Sequence, residues 1–223
     1  MFATQTIHCP ACGTAVTADL YFSVNADRRP DLRAAAIDGS LQRLTCRSCH
    51  ADFRVDPELN YLDIARGQWI AVHAFARLGD WEAVEQADQA SFDKAYGAAA
   101  SVGAQAIGAD LTVRIVFGWA ALREKLVAAE AGLDDVTLEL LKMAILRTRD
   151  NAPLSDTVEL RFVEQTPEGL VLAWVDVPSD RAVETLLVPH KAYTDIATDP
   201  AGWAALRTSL ASGHFVDMQK LMI

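Results

Sequence analysis

Two short stretches, Cys9-Pro10-Ala11-Cys12 and Cys46-Arg47-Ser48-Cys49, decide the fold of the first quarter of this 223-residue chain. Together they contain all four of its cysteines. Two residues separate the cysteines of each pair, a spacing at which one tight turn directs both thiolates at the same ion. Four thiolates are the ligand set of a closed, tetrahedral zinc site. We therefore predict that Cys9, Cys12, Cys46 and Cys49 bind one structural Zn²⁺ ion.

Other interpretations of the cysteine pairs fit the sequence less well. Cys46 to His50 also spells Cys-x-x-Cys-His, the haem attachment motif of c-type cytochromes, but haem attachment requires export and leaves the first pair unexplained. A thioredoxin-like dithiol needs a strand-to-helix context, whereas short strands are predicted around both pairs. A catalytic zinc keeps one position open for water, and four thiolates close it. His8 and His50 adjoin the pairs and stay alternative ligands or hydrogen-bond donors to a thiolate.

The order of predicted elements indicates an α+β protein that begins with a four-cysteine zinc ribbon. Short strands enter and leave each cysteine pair. The 33 residues between Cys12 and Cys46 exceed the roughly 15–20 of a compact ribbon, so the ribbon has a long insertion. We expect a short helix or loop over 27–38 in this insertion. Strands over 61–64 and 69–72 are expected to extend the ribbon sheet.

Downstream of the ribbon, the pattern predicts a helical segment followed by an antiparallel β meander. The expected helices lie over 81–96, 118–131, 135–148 and 203–210, with 98–109 as a loop. The expected strands of the meander lie over 158–163, 170–177 and 182–188. We accordingly divide the chain into a ribbon module, 1–75, and an acidic α+β body, 76–223. The body comprises helices over about 80–148, a meander over about 157–189 and a C-terminal helix.

Five short segments of the chain follow one another in a specific order and spacing. They are Cys9-Pro10-Ala11-Cys12-Gly13, Val24-Asn25-Ala26-Asp27, Asp38-Gly39-Ser40-Leu41, Cys46-Arg47-Ser48-Cys49 and Pro57-Glu58-Leu59-Asn60-Tyr61-Leu62-Asp63. The pattern resembles the CpXC family of bacterial proteins, named for paired Cys-Pro-x-Cys motifs, and 114–135 resembles it more loosely. The resemblance implies the ribbon fold, and the family offers no established activity to carry over to this chain. Arg47 stands where the family usually has Pro, and His50 where it usually has Gly; neither position supplies a thiolate.

Charge is unevenly distributed along the chain, whose formal net charge is −10. Residues 1–55 contain six Arg and five Asp, whereas the other 168 residues contain 14 basic and 25 acidic side chains. Nucleic-acid binders normally present a basic surface to phosphates, so nucleic acid is not the expected partner. The N-terminus lacks the pattern of a signal peptide, and no apolar run reaches the length of a membrane span. We expect a cytoplasmic protein, in which free thiols bind metal rather than form disulfides.

Three functional hypotheses follow. The leading one is a non-enzymatic interaction or assembly module that binds a protein partner or a second copy of itself. The second is nucleic-acid binding by the arginines of the ribbon, which are Arg28, Arg29, Arg33, Arg43, Arg47 and Arg54. The third is an enzyme with a site between ribbon and body near His73 or His190. No nucleotide-binding or common hydrolase motif occurs, and helix capping accounts for the carboxylate pair Asp134-Asp135.

Overall fold

The fold is described from a computed structural model, which covers residues 1–153 and 155–223. The strands of these residues are β1 (Phe2–His8), β2 (Ala15–Tyr21), β3 (Ser23–Asn25), β4 (Arg43–Thr45), β5 (Asp52–Arg54), β6 (Leu59–Asp63), β7 (Gln68–His73), β8 (Thr112–Phe117), β9 (Val158–Thr166), β10 (Gly169–Asp176) and β11 (Arg181–Val188). The α-helices are α1 (Pro30–Asp38), α2 (Trp81–Tyr96), α3 (Val102–Ala109), α4 (Trp119–Glu130), α5 (Asp135–Thr148), α6 (His190–Thr198) and α7 (Ala204–Ala211). Two 3₁₀ helices span Phe75–Asp80 and Met218–Leu221.

The strands form four sheets, which confirm the α+β class. The hairpins β1–β2 and β4–β5 are two-stranded and antiparallel. A four-stranded sheet has the order β3-β6-β7-β8, in which β6 and β7 are antiparallel and the two outer pairs are parallel. The predicted meander is formed by β9, β10 and β11, with β10 in the middle. None of the described helices combines the length and the apolar character that crossing a membrane requires.

The prediction that 61–64 and 69–72 extend the ribbon sheet is wrong. Both segments are strands, β6 and β7, but they pair with β3 and β8 and not with the two hairpins. Five of the six residues of β7 are buried, because α4 covers one face of this sheet and α2 covers the other. An apolar strand needs cover on both faces, which a thin hairpin cannot supply. The sheet joins β8 to β7 across residue 75, and the division of the chain at that residue stays a prediction.

The loop expected over 98–109 is also wrong, because Val102–Ala109 forms α3. Ser101 caps this helix, since its Oγ accepts a hydrogen bond from the Ala104 N–H at 3.3 Å. Gly108 lets α3 approach the end of α2 closely: a Cβ at this position would lie 2.5 Å from the Tyr96 Cβ. The glycine and small residues that suggested a loop thus permit close helix packing. Helix α6, His190–Thr198, was not expected from the sequence.

Helix α4 lies between the four-stranded sheet and the meander. Its apolar residues Trp119, Leu122 and Leu126 pack with Ile70 and Val116 of the sheet. Its other side contacts β9 of the meander. A buried charge network fills this second contact and consists of Arg114, Glu124, Lys125, Asp135, Glu139, Lys142, Glu159, Arg161 and Asp217. Ion pairs therefore join α4 to α5 and to β9, and Arg161 of β9 pairs in turn with Asp217 of the C-terminal segment.

The composition of the buried charge network requires one proton. Its five carboxyl groups exceed its four bases by one charge, and burial of an uncompensated charge is costly. Burial raises the pKa of Glu139 to about 8. Its Oε2 accepts hydrogen bonds from Lys142 Nζ at 2.7 Å and from the Met218 N–H at 2.9 Å. Its buried Oε1 has no hydrogen-bond partner among the described residues. We therefore place the extra proton on Glu139 Oε1.

We predict that the protonation of Glu139 makes stability depend on pH. Because the folded pKa of about 8 lies above the reference value of 4.5, the folded state retains a proton that the unfolded state has lost, so stability falls as the pH rises from about 4.5 to about 8 and levels off above that. Glu139→Gln mimics the protonated acid, so its free energy of unfolding should fall less steeply between about pH 5 and pH 8. Urea unfolding at several pH values measures the slopes. Glu130→Gln, at a largely exposed carboxylate, should follow the wild type; equal slopes for all three proteins would contradict the assignment.

Candidate metal centre

The two cysteine pairs form turns of the same geometry. In the first turn, the Cys9 N–H donates to Thr14 O at 2.9 Å and the Gly13 N–H donates to Cys9 O at 2.8 Å. In the second turn, Cys46 donates to Ala51 O and His50 donates to Cys46 O, both at 2.9 Å. Each turn connects two short antiparallel strands, β1 to β2 and β4 to β5. The local hydrogen bonds thus fix both pairs in one conformation.

The fold brings all four thiols together, although 33 residues separate the pairs. The four Sγ atoms lie within 4.8 Å of one another. Two Sγ–Sγ distances between the pairs, Cys9 to Cys49 and Cys12 to Cys46, are both 3.7 Å. The first cysteine of each pair is buried and the second is exposed. The four side chains form a group that can hold a metal ion, and none of them is in a disulfide.

Crowding of the thiols moves their pKa values apart. The pKa of Cys12 falls to about 6, chiefly through a hydrogen bond with the Thr14 hydroxyl. The pKa of Cys46 is lowered by the backbone N–H groups of Cys49 and Ser48. At Cys49 the Ala51 N–H lowers the pKa, but the Cys12 thiol, burial and the other thiols outweigh it and raise the pKa to about 12. A bound cation is the natural compensation for several thiolates at such short distances.

The histidines lie outside the cysteine cluster. His8 ends β1 and His50 lies in the second turn, and neither belongs to the group of possible metal ligands found among the described residues. His73 lies at the end of β7, with Nε2 2.7 Å from Asp88 Oδ2 and Nδ1 3.1 Å from Glu58 Oε2. Burial lowers the pKa of His73, but the two carboxylates outweigh burial and raise it.

The two histidines of the enzyme hypothesis do not share a site. His190 Nε2 lies 2.9 Å from Thr166 O at the turn between β9 and β10, whereas His73 contacts α2 and the start of β6. The junction between ribbon and meander is instead occupied by ion pairs of Asp180.

Carboxylates engage most arginines of the nucleic-acid hypothesis. Arg29 pairs with Asp31, and Arg33 lies 3.2 Å from Glu130 and 3.6 Å from Asp63. Arg43 and Arg54 both pair with Asp180. Because four of the six arginines are paired in this way, the ribbon does not present them as one continuous basic face.

The two aspartates at the start of α5 have different roles. Asp134 caps the helix, as predicted, since its Oδ2 accepts a hydrogen bond from the Thr137 N–H at 2.8 Å. Asp135 instead pairs with Arg114 at 2.7 Å and with Lys125 at 2.9 Å, which places it in the buried charge network.

Sequence reasoning missed one polar cluster between ribbon and body. It consists of the arginine triad, which is Arg43, Arg54 and Arg123, arranged around Asp180. The signal for Arg123 was available, because Arg123 interrupts the apolar run of α4. Asp180 had no such signal, because an Asp in a hairpin turn is ordinary turn chemistry.

We predict that His50→Gly stabilises the metal-loaded protein by about 1 kcal/mol, since a side chain in the left-handed region costs energy that glycine avoids. His50 has φ 59°, and Gly13 occupies the equivalent position of the first turn with φ 71°. Gly13→Ala is the matched control and should destabilise, although open space surrounds that position. Urea unfolding and chelator competition measure both variants. A destabilised His50→Gly protein would show that the imidazole makes a contact that matters more than the backbone.

Comparisons with known proteins give one match. A family model described as CpXC protein matches residues 7–142, which is more than half of the chain. Neither the curated proteins nor the solved structures give a match. The matched range includes both cysteine pairs, the four-stranded sheet and α4. The chain therefore belongs to the CpXC family.

Proposed function

We propose that the four cysteines hold one structural Zn²⁺ ion, which stabilises the ribbon of a non-enzymatic interaction module. The observation that supports zinc is the sulfur geometry. A tetrahedron with Zn–S bonds of about 2.3 Å has edges of about 3.8 Å, and the two Sγ–Sγ distances between the pairs are 3.7 Å. Four thiolates leave no coordination position for water, so the ion's role is to stabilise the fold. Such centres persist where thiols stay reduced, so the cytoplasm is the proposed compartment.

Metal content and spectroscopy test the zinc proposal. We expect one zinc per chain by elemental analysis, and Co²⁺ substitution should give the intense charge-transfer and ligand-field bands of a tetrahedral thiolate site. Cys46→Ser should lower zinc affinity on the order of a hundredfold, since a total of about 10–16 kcal/mol is shared among four ligands. Ser48→Ala, in the same turn, should bind zinc like the wild type. A protein purified without metal that keeps both hairpins folded would contradict the proposal.

The surface proposed for interaction is the outer edge of β1. This strand pairs only with β2 among the described residues, and six of its seven residues are exposed. Its sequence, Phe2-Ala3-Thr4-Gln5-Thr6-Ile7-His8, contains no Lys, Arg, Asp, Glu or Pro. Protein edge strands are normally blunted by charge or proline, because their unpaired backbone groups bind other strands. β1 lacks both devices.

A second copy of the chain is the partner that we propose for this edge. Antiparallel pairing of two β1 strands brings together uncharged segments and keeps apart the acidic bodies, in which the negative charge is concentrated. The Cys9 N–H donates a hydrogen bond to Thr14 O, immediately before β2. The backbone N–H and C=O groups of successive residues point to opposite sides of a strand, so every odd residue of β1 faces β2. The even residues, including Thr4 and Thr6, therefore direct their backbone groups outward.

We predict that Thr6→Pro abolishes self-association, because proline removes an outward N–H from the edge. Thr6→Val is the matched control and should associate like the wild type, since it keeps the N–H and the branched side chain. Light scattering coupled to size-exclusion chromatography measures the mass over a concentration series. A wild-type protein that remains monomeric at the highest attainable concentration would contradict the pairing of two β1 strands. Equal association of the proline and valine variants would place the contact elsewhere.

A further inference from the structure

The arginine triad consists of three side chains from two separate parts of the chain. Arg43 lies on β4, Arg54 on β5 and Arg123 on α4. All three guanidinium groups point at the carboxylate of Asp180, which the turn between β10 and β11 supplies. The triad is thus built by the hairpin β4–β5, which carries the second cysteine pair, and by α4, and its anion comes from the C-terminal meander.

The carboxylate of Asp180 matches this triad poorly. Its Oδ2 receives Arg54 Nη1 at 2.8 Å, Arg123 Nη2 at 3.1 Å and Arg43 Nη2 at 3.3 Å. Among the described residues, its Oδ1 receives only Arg123 Nη2, at 3.3 Å. Two buried donors, Arg54 Nη2 and Arg123 Nε, have no hydrogen-bond partner among the described residues. Buried donors without partners are costly, so the triad offers more hydrogen bonds than a carboxylate accepts.

The charge of the cluster is also unbalanced. Besides Asp180, Asp38 also feels the triad: its pKa is lowered by hydrogen bonds from Ser40 and by the charges of Arg54 and Arg123. Three guanidinium groups against two carboxylates leave a charge of +1. Burial lowers the pKa of Arg54 to about 10 despite the charge of Asp180. A dianion in place of the Asp180 carboxylate brings the sum to zero.

Contacts other than Asp180 hold the arginines in place. The Arg54 guanidinium lies 3.9 Å from the centre of the Trp119 ring, and its Nε donates to Leu41 O at 2.8 Å. Arg43 Nε donates to Gly39 O at 3.1 Å. Because the ring and two backbone carbonyls fix these groups, the donors stay oriented when the carboxylate leaves. Preorganised donors of this kind favour anion binding.

Asp180 lies in the hairpin turn between β10 and β11, which can move away from the triad. Its φ is 53°, a left-handed conformation that Asp and Asn adopt more readily than other residues with a side chain. The Asp180 N–H bonds to Val177 O at a long 3.3 Å. The Arg43 side chain is 41% exposed, so solvent reaches the triad from that side. An anion can therefore approach the arginines when the turn moves away.

We propose that the arginine triad is a binding site for a phosphate-type oxyanion, and that Asp180 occupies it as an internal competitor. A tetrahedral oxyanion presents more acceptor oxygens than a carboxylate, and guanidinium forks match its geometry. The same chemistry is presented by free phosphate and by a phosphate monoester whose substituent projects past Arg43. Binding displaces the Asp180 turn from the hairpin β4–β5 and from α4.

The test measures inorganic phosphate against the wild type and Asp180→Asn. Asparagine tolerates the left-handed backbone and removes the competing charge, so Asp180→Asn should bind phosphate at least tenfold more tightly in titration calorimetry. Adding Arg123→Gln to this variant should abolish the gain. Adding Arg28→Gln, at an exposed arginine outside the triad, should leave the gain intact. Chloride at equal ionic strength controls for screening.

Hydrogen exchange on the wild-type protein keeps the proposal testable if Asp180→Asn fails to fold. Phosphate should accelerate amide exchange at 177–181, because the turn leaves the triad, and acetate at equal ionic strength should not. If O-phosphoserine accelerates this exchange as strongly as inorganic phosphate does, the ligand is a phosphoryl group on a larger molecule. If phosphate has the stronger effect, the ligand is the free ion. If phosphate neither accelerates this exchange nor binds Asp180→Asn, Asp180 is only a structural ion pair and the proposal is overturned.

Discussion

The buried carboxylate of Glu124 is the interaction on which the arrangement of this protein depends. It accepts hydrogen bonds from Lys142 Nζ at 2.9 Å, from Arg161 Nη1 at 3.2 Å and from the Phe162 N–H at 2.6 Å. One side chain of α4 thereby fixes α5 and β9. Removing a single partner from such a group leaves an uncompensated buried charge, which is strongly destabilising. This constraint fixes the face that α4 turns towards α5 and β9, while its apolar face packs on the four-stranded sheet.

Helix α4 also links the metal centre to the body. Its Arg123 joins the arginine triad, and its Trp119 lies beneath Arg54 and donates its indole N–H to Val55 O at 2.8 Å. The hairpin β4–β5 thus carries two cysteines at its turn and two arginines of the triad on its strands. Under the zinc proposal, an ion bound at the turn would also fix the spacing of these arginines. The metal centre and the proposed anion site are therefore two ends of one small hairpin.

The local elements of the fold were predictable where a short-range pattern encodes them. The cysteine spacing and the cap at Asp134 each depend on neighbours a few residues away. Prediction failed where tertiary contacts decide. Val102–Ala109 forms a helix that packs closely on α2, where Gly108 lies against Tyr96, and β7 pairs with β8 in a sheet whose two faces are covered by helices. Small residues and apolar runs do not by themselves reveal the surface against which they pack.

By itself the sequence determined the candidate ligand set of this protein: four cysteines in two pairs, with no other thiol. It also determined the CpXC resemblance, which the family match over residues 7–142 confirms. Only the tertiary structure decided which charges meet. Arg54 and Asp180 are separated by 126 positions, and Glu124 and Arg161 by 37. Buried ion pairs form between groups that packing excludes from water, and no periodicity in a sequence records which distant groups share that exclusion.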